Sequence, residues 1–247
     1  MRLFSTQDHS TPTYVRNTDN WAAIHVQALT AISPWNSDGT FQKAGILVSP
    51  RHVLFSTHFK PANSSTMRFV TADNTVITRT LSSTVSLPDT ASLYPDITIG
   101  VLDSDVPGTI SYAKVLPSGF ETKLPADLAI QRIPCAATDQ EEKLLVMDVQ
   151  NLPANQSAFA TPVTTLTPID AIRLNFNEGL VSGDSGNPAF WFINGDIVIL
   201  TMWSTRALGG SGGPVAALRS EINAAMATLG GGYQLTTVDL STFPNDS

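Results

Sequence analysis

The chain has 247 residues, of which 42% are hydrophobic and only 14% charged, with 16 glycines and 16 prolines. Its formal net charge is −7 and its sequence pI about 4.9, which argues against nucleic acid as a partner, because phosphate binding needs a basic patch. A lone cysteine, Cys135, excludes an internal disulfide and reads as a buried small hydrophobe, so the core must hold the fold unaided.

Residues 1–20 read as a polar N-terminal arm. Alternating or short apolar runs then predict strands at 21–29, 44–48, 52–57, 67–71, 75–80 and 97–102. A second series is predicted at 128–132, 143–148, 172–176, 189–193 and 197–203. Met67 to Thr78 is a predicted hairpin turning at Ala72-Asp73-Asn74, and Asn194-Gly195-Asp196 marks another. A linker between Ser104 and Pro117 carries Pro107 and Gly108, placing a boundary near residue 110. Residues 215–229 predict a helix: Pro214 precedes it, Gly230-Gly231-Gly232 stops it, and Leu218, Ile222, Met226 and Leu229 share one face.

No run approaches the ~20 apolar residues needed to cross a bilayer, so no membrane partner is expected. The longest apolar region, Ala189 to Trp203, is interrupted by its hairpin turn. No Cys/His cluster has zinc spacing, and neither metal nor cofactor is expected. The N-terminus does not read as a signal peptide. The low charge leans towards a secreted or periplasmic protein without choosing a compartment, and the oligomeric state is not legible.

The most informative stretch is Ser182-Gly183-Asp184-Ser185-Gly186-Asn187-Pro188. Small residues around Ser185 let the backbone turn tightly with its N–H groups outward. A hydroxyl beside converging amides supplies a nucleophile and an oxyanion cradle for acyl transfer. Four histidines are candidate bases. His58 closes an apolar strand, where the chain emerges into a cleft. His52 lies near a turn and is expected to be exposed. His9 sits in the polar leader, and His25 alternates with apolar neighbours as a solvent-face strand residue. Asp96, opening the apolar run Ile97 to Leu102, is the candidate acid.

These three segments together resemble the chymotrypsin-like serine peptidases. "SPRHVLFSTHF" is similar to the family's histidine segment, "PDITIGVLDSDVP" to its aspartate strand and "SGDSGNP" to its serine loop. They occur in the order His, Asp, Ser. The resemblance covers about residues 20 to 230 and is to a compact, disulfide-free bacterial-type member.

It implies an all-β fold of two antiparallel β-barrels with a C-terminal helix. The first barrel would span 21–110 and carry His58 and Asp96; the second, 111–247, would carry Ser185. It also implies a serine endopeptidase acting on protein or peptide substrates. His58 would be the general base, Asp96 its orienting partner, and Ser185 the nucleophile. The backbone N–H groups of Gly183 and Ser185 would form the oxyanion hole. The substrate pocket would take Gly179 as its floor, with Leu180, Thr201, Trp203 and Ser204 around it.

An uncharged apolar side chain before the scissile bond is then expected; an inward Glu178 would instead select Lys or Arg. The alternatives are a catalytically inactive peptidase fold used for binding, or a non-enzymatic β-sandwich.

Several positions depart from the family pattern. Asn187 replaces a glycine and is expected to tolerate positive φ. The usual flanking cysteines are replaced by Lys43 and Phe59. No Ile-Val-Gly-Gly-type start occurs, so Asp184 is expected to bond internally and cleavage is not expected to activate the chain. The hydroxyl that supports the catalytic aspartate aligns with Met202 or Thr201, of which Thr201 can donate to Asp96. Gly209-Gly210-Ser211-Gly212-Gly213-Pro214 also resembles a serine loop. Lacking an acid before its serine, it reads as a flexible loop lining the pocket.

Overall fold

The computed structural model describes residues 1–35, 44–88, 95–124, 131–152, 162–204 and 211–243. The chain opens with a hairpin of β1 (Phe4–Asp8) and β2 (Thr13–Arg16). The expected polar arm is therefore replaced by a structured element. Leu3, Phe4 and Tyr14 are buried in the core, and the Arg16 guanidinium donates to the Val70 carbonyl. The apolar residues are few, but they fall on one face, and the polar count concealed them.

Residues 21–29 form no strand. A 3-10 turn over Ala23–His25 runs into α1 (Val26–Leu29). The Asn20 side chain accepts from the Ala22 amide at 2.9 Å, and the following alanines, glutamine and leucine favour helix. His25 stacks on Phe192 with 4.2 Å between ring centres.

The first sheet contains β3 (Ile46–Leu47), β4 (His52–Ser56), β5 (Thr66–Val70), β6 (Val76–Ser86) and β7 (Ile97–Leu102), in spatial order β3-β4-β7-β6-β5. All its neighbours are antiparallel. Strands β4 and β7 are buried along their whole length, with His52, Ser56 and Thr98 buried among their apolar residues.

The second sheet contains β8 (Ile133–Thr138), β9 (Leu144–Gln150), β10 (Val163–Leu166), β11 (Pro188–Ile193), β12 (Asp196–Met202) and β13 (Ser211–Gly212). Its order is β12-β11-β8-β9-β10-β13. Each sheet curls into a half-barrel. The strand expected at 128–132 lies partly outside the described residues; the observed strand begins at Ile133. The described part of the second glycine-rich stretch is β13, paired with β10, rather than a flexible loop.

Residues 172–176 also depart from expectation. Asp170 accepts from the amides of Ile172 and Arg173 and caps a single helical turn, α2 (Ala171–Leu174). Near the C-terminus, α3 (Arg219–Leu229) starts four residues later than the predicted position 215, after a turn over 215–218. Leu218, Ile222 and Met226 are buried against the first sheet's core, and Gly230, at φ 83, ends the helix. Cys135 is buried, and burial raises its thiol pKa.

The fold class is thus all-β, with two curled sheets and a C-terminal helix. Among the described residues, no helix is long and apolar enough to cross a membrane.

Candidate active site

Register brings the first two site residues together. Strands β4 and β7 pair antiparallel with Ser56 opposite Ile97. The next bond in that direction runs from the Thr57 amide to the Asp96 carbonyl, 2.9 Å. His58, in the 3-10 turn Thr57–Phe59, and Asp96, immediately before β7, therefore emerge side by side from adjacent strand ends.

His58 Nδ1 lies 2.7 Å from Asp96 Oδ2, and the His58 amide donates to Asp96 Oδ1 at 3.0 Å. The Ser56 hydroxyl donates to Asp96 Oδ2 at 2.6 Å. The Asp96 carboxylate is thus nearly enclosed, its side chain 12% exposed, while the imidazole is 46% exposed and faces the cleft. Asp96 adopts φ 48, in the left-handed region where Asn and Asp are the best-tolerated side chains.

Ser185 arrives from the second sheet. Its loop leads into β11 and is tied to the end of β12: the Gly186 amide donates to the Trp203 carbonyl at 2.8 Å, and the Trp203 amide returns to Asn187 O at 3.0 Å. Ser185 Oγ lies 2.9 Å from His58 Nε2. Gly186 has φ +83, and a Cβ there would sit 3.3 Å from the Ala44 carbonyl. The positive φ favours glycine at that position, and the close approach of the Ala44 carbonyl leaves little room for a side chain.

The supporting residues differ from expectation. Thr201 does not reach Asp96; it is fully buried, and its hydroxyl donates to Gly213 O at 3.0 Å. Ser56 supplies that hydroxyl instead. Its place two residues before His58, on the strand that delivers the histidine, was the available signal. Asn187 has no positive φ. Its side chain accepts from Thr138 Oγ1 at 2.9 Å and donates to Asp184 O at 3.1 Å, so it is a buried tether. Asp184 is 3% exposed and accepts from the amides of Gln140 (3.0 Å) and Val181 (2.6 Å). Burial raises its pKa, against the pull of those amides.

The other histidines sit apart from this group. His52 is fully buried, with Nδ1 2.8 Å from Ser49 Oγ, because the glycine segment after α3 covers it. His9 contacts Gln7 and Tyr14.

A cavity of about 230 Å³ opens beside Ser185. Its lining includes Leu180, Trp203 and Ser204, together with Val181, Ser182 and Asp184. Gly179 and Thr201 do not line it. The Glu178 carboxylate points away, paired with Lys143 Nζ at 2.6 Å. A larger apolar hollow of about 500 Å³ lies around Phe120, Trp191 and Phe192 and touches none of these groups, so nucleophile geometry rather than size locates the site. Among the described residues, no group of three or more His, Cys, Asp or Glu is arranged to hold a metal.

Behind the serine loop lies a buried carboxylate, Glu142, 2% exposed, which accepts from the Trp35 amide. Burial pushes its pKa from 4.5 up to about 8. Between those values the folded chain keeps a proton that the unfolded chain has released, so stability falls as pH rises through the window. Melting temperatures measured across pH 4.5 to 8 are expected to decline, and Glu142→Gln is expected to flatten the decline. An unchanged slope in that variant would assign it to other groups, of which Asp139, raised to about 6, has the same sign.

No protein-family model matches the chain, and no curated protein sequence does. Among solved structures, a mutant of human heparin binding protein is similar, with a TM-score of 0.59 and 14% identity over 84% of this chain and 96% of that one. At that identity the likeness establishes the fold, and the fold is chymotrypsin-like.

Proposed function

We propose that the protein is a serine endopeptidase in which Ser185 attacks the scissile carbonyl, His58 accepts its proton and Asp96 orients the imidazole. The observation that carries this reading is the unbroken chain of contacts Asp96–His58–Ser185, at 2.7 and 2.9 Å. With Asp96 holding Nδ1–H, Nε2 is free to accept the hydroxyl proton and later return it to the leaving amine. The amides of Gly183 and Ser185 are the proposed oxyanion donors; among the described residues, neither donates a bond inside the protein.

An uncharged apolar side chain before the scissile bond is the proposed preference. It is supported by Leu180 and Trp203 in the cavity wall and by the outward ion pair of Glu178. Peptides with Phe, Leu, Val or Arg at that position test it; cleavage of the Arg peptide alone would reverse it. A heparin-like polyanion, suggested by the neighbour's name, suits a chain of net charge −7 poorly.

Intact mass after fluorophosphonate treatment tests the chemistry. One adduct, located at Ser185, is expected. A protein that stays unmodified would be a peptidase fold used for binding.

A further inference from the structure

Three successive carbonyls of the serine loop are each gripped by a side-chain N–H. Gln140 Nε2 donates to Ser182 O at 3.3 Å, Trp35 Nε1 to Gly183 O at 3.1 Å, and Asn187 Nδ2 to Asp184 O at 3.1 Å. In a trans peptide the C=O and the following N–H point to opposite sides. Holding Ser182 O therefore fixes the direction of the Gly183 N–H, and holding Asp184 O fixes that of the Ser185 N–H. Those are the two proposed oxyanion donors.

Glycine at 183 makes its peptide plane easy to rotate, since φ +108 is open to glycine and rarely to other residues. A loop this permissive needs an external constraint to keep both amides converging. Gln140 sits in the turn between β8 and β9, and its own amide donates to Asp184 Oδ1. The Gln140 side chain packs so closely on the loop that a Cβ at Gly183 would lie 2.2 Å from its Oε1.

We infer that Gln140 and Asn187 position the oxyanion cradle by fixing the carbonyl ends of its two peptide planes, with Trp35 holding the plane between them. The Asp184 carboxylate completes the tie through the amides of Val181 and Gln140; among the described residues no ammonium group is bonded to it. The cradle is thereby organised by internal contacts. Gln140 is a positioning residue, because it acts through the Gly183 amide and not on the substrate. This inference rests on the endopeptidase reading.

The test is the kinetics of fluorophosphonate phosphonylation for the parent protein and for Gln140→Met, which keeps length and loses the donor. Gln140 is only partly buried, so the variant is expected to fold. The maximal modification rate should fall about 10–100-fold, somewhat less than the 10²–10³ of deleting an oxyanion donor outright. The reversible binding constant and the melting temperature should hold. Trp35→Phe, which keeps a ring and loses the indole N–H, should lower the same rate constant by a smaller factor.

A parent that is modified alongside a Gln140→Met variant with an unchanged rate overturns the inference and leaves the endopeptidase reading intact. A parallel loss of binding, rate and melting temperature assigns Gln140 a general structural role and also overturns it. A parent that is never modified removes the endopeptidase reading and this inference with it.

Discussion

Ser185→Ala should lower peptide hydrolysis by about 10⁶-fold, leaving roughly the 10³–10⁴-fold acceleration over water that binding and an oxyanion cradle supply alone. The size of the effect follows from what is removed. The only Oγ within hydrogen-bond reach of His58 Nε2 among the described residues is that of Ser185, at 2.9 Å. Without it His58 has no hydroxyl to deprotonate and no acyl-enzyme can form. Folding should be spared, because the loop is held by main-chain bonds between Gly186, Asn187 and Trp203 and by the Asn187 side chain, none of which uses the serine hydroxyl. The measurement is kcat on an apolar peptide substrate, with melting temperature as the control. A loss below about tenfold would sink the nucleophile assignment, since no uncatalysed route could sustain such a rate.

The second large effect is expected at Asp96→Asn, a loss of about 10⁴ in kcat. Oδ1 of Asp96 accepts from the His58 amide, while Oδ2 accepts from the Ser56 hydroxyl and contacts His58 Nδ1. An asparagine that keeps its oxygen on the His58 amide must place its NH₂ towards Nδ1. The imidazole proton then moves to Nε2, which becomes a donor towards Ser185 and can no longer accept its proton. The backbone should tolerate the change, because φ 48 at this position suits asparagine as well as aspartate. The imidazole tautomer is readable by nitrogen NMR of the ring. A variant with parent-like kcat would show that Asp96 does not orient the base.

The local motifs were readable because the proposed acyl transfer needs particular residue types in short segments. A hydroxyl between small residues, a histidine closing an apolar strand and an aspartate opening another can each be found without knowing the fold. All three come within hydrogen-bond distance in the structure. Strands β4 and β7 were legible for the same reason: mostly apolar segments, Val53 to Phe55 and Ile97 to Leu102, record burial on both faces. Short mixed runs were not. The segments at 21–29 and 172–176 carry apolar residues at spacings that suit strand or helix equally; a turn bond from the Ala22 amide to the Asn20 side chain and the Asp170 cap favoured helix.

His52 was misplaced because exposure is set by what lands on a turn, here the glycine segment beyond α3. Ser56 was overlooked because a hydroxyl on a buried strand is ordinary until its partner is known. Thr201 was favoured on its chemistry, yet its hydroxyl donates to the Gly213 carbonyl instead.

Residue type and local periodicity alone carry the all-β class and the chain order His58, Asp96, Ser185 on which the proposed chemistry rests. Tertiary structure alone decided which hydroxyl steadies Asp96, which side chains grip the serine loop and which way Glu178 faces. Those choices are hydrogen bonds and ion pairs between residues far apart in the chain. Their partners are selected by strand register and half-barrel packing, which no local pattern of residues encodes.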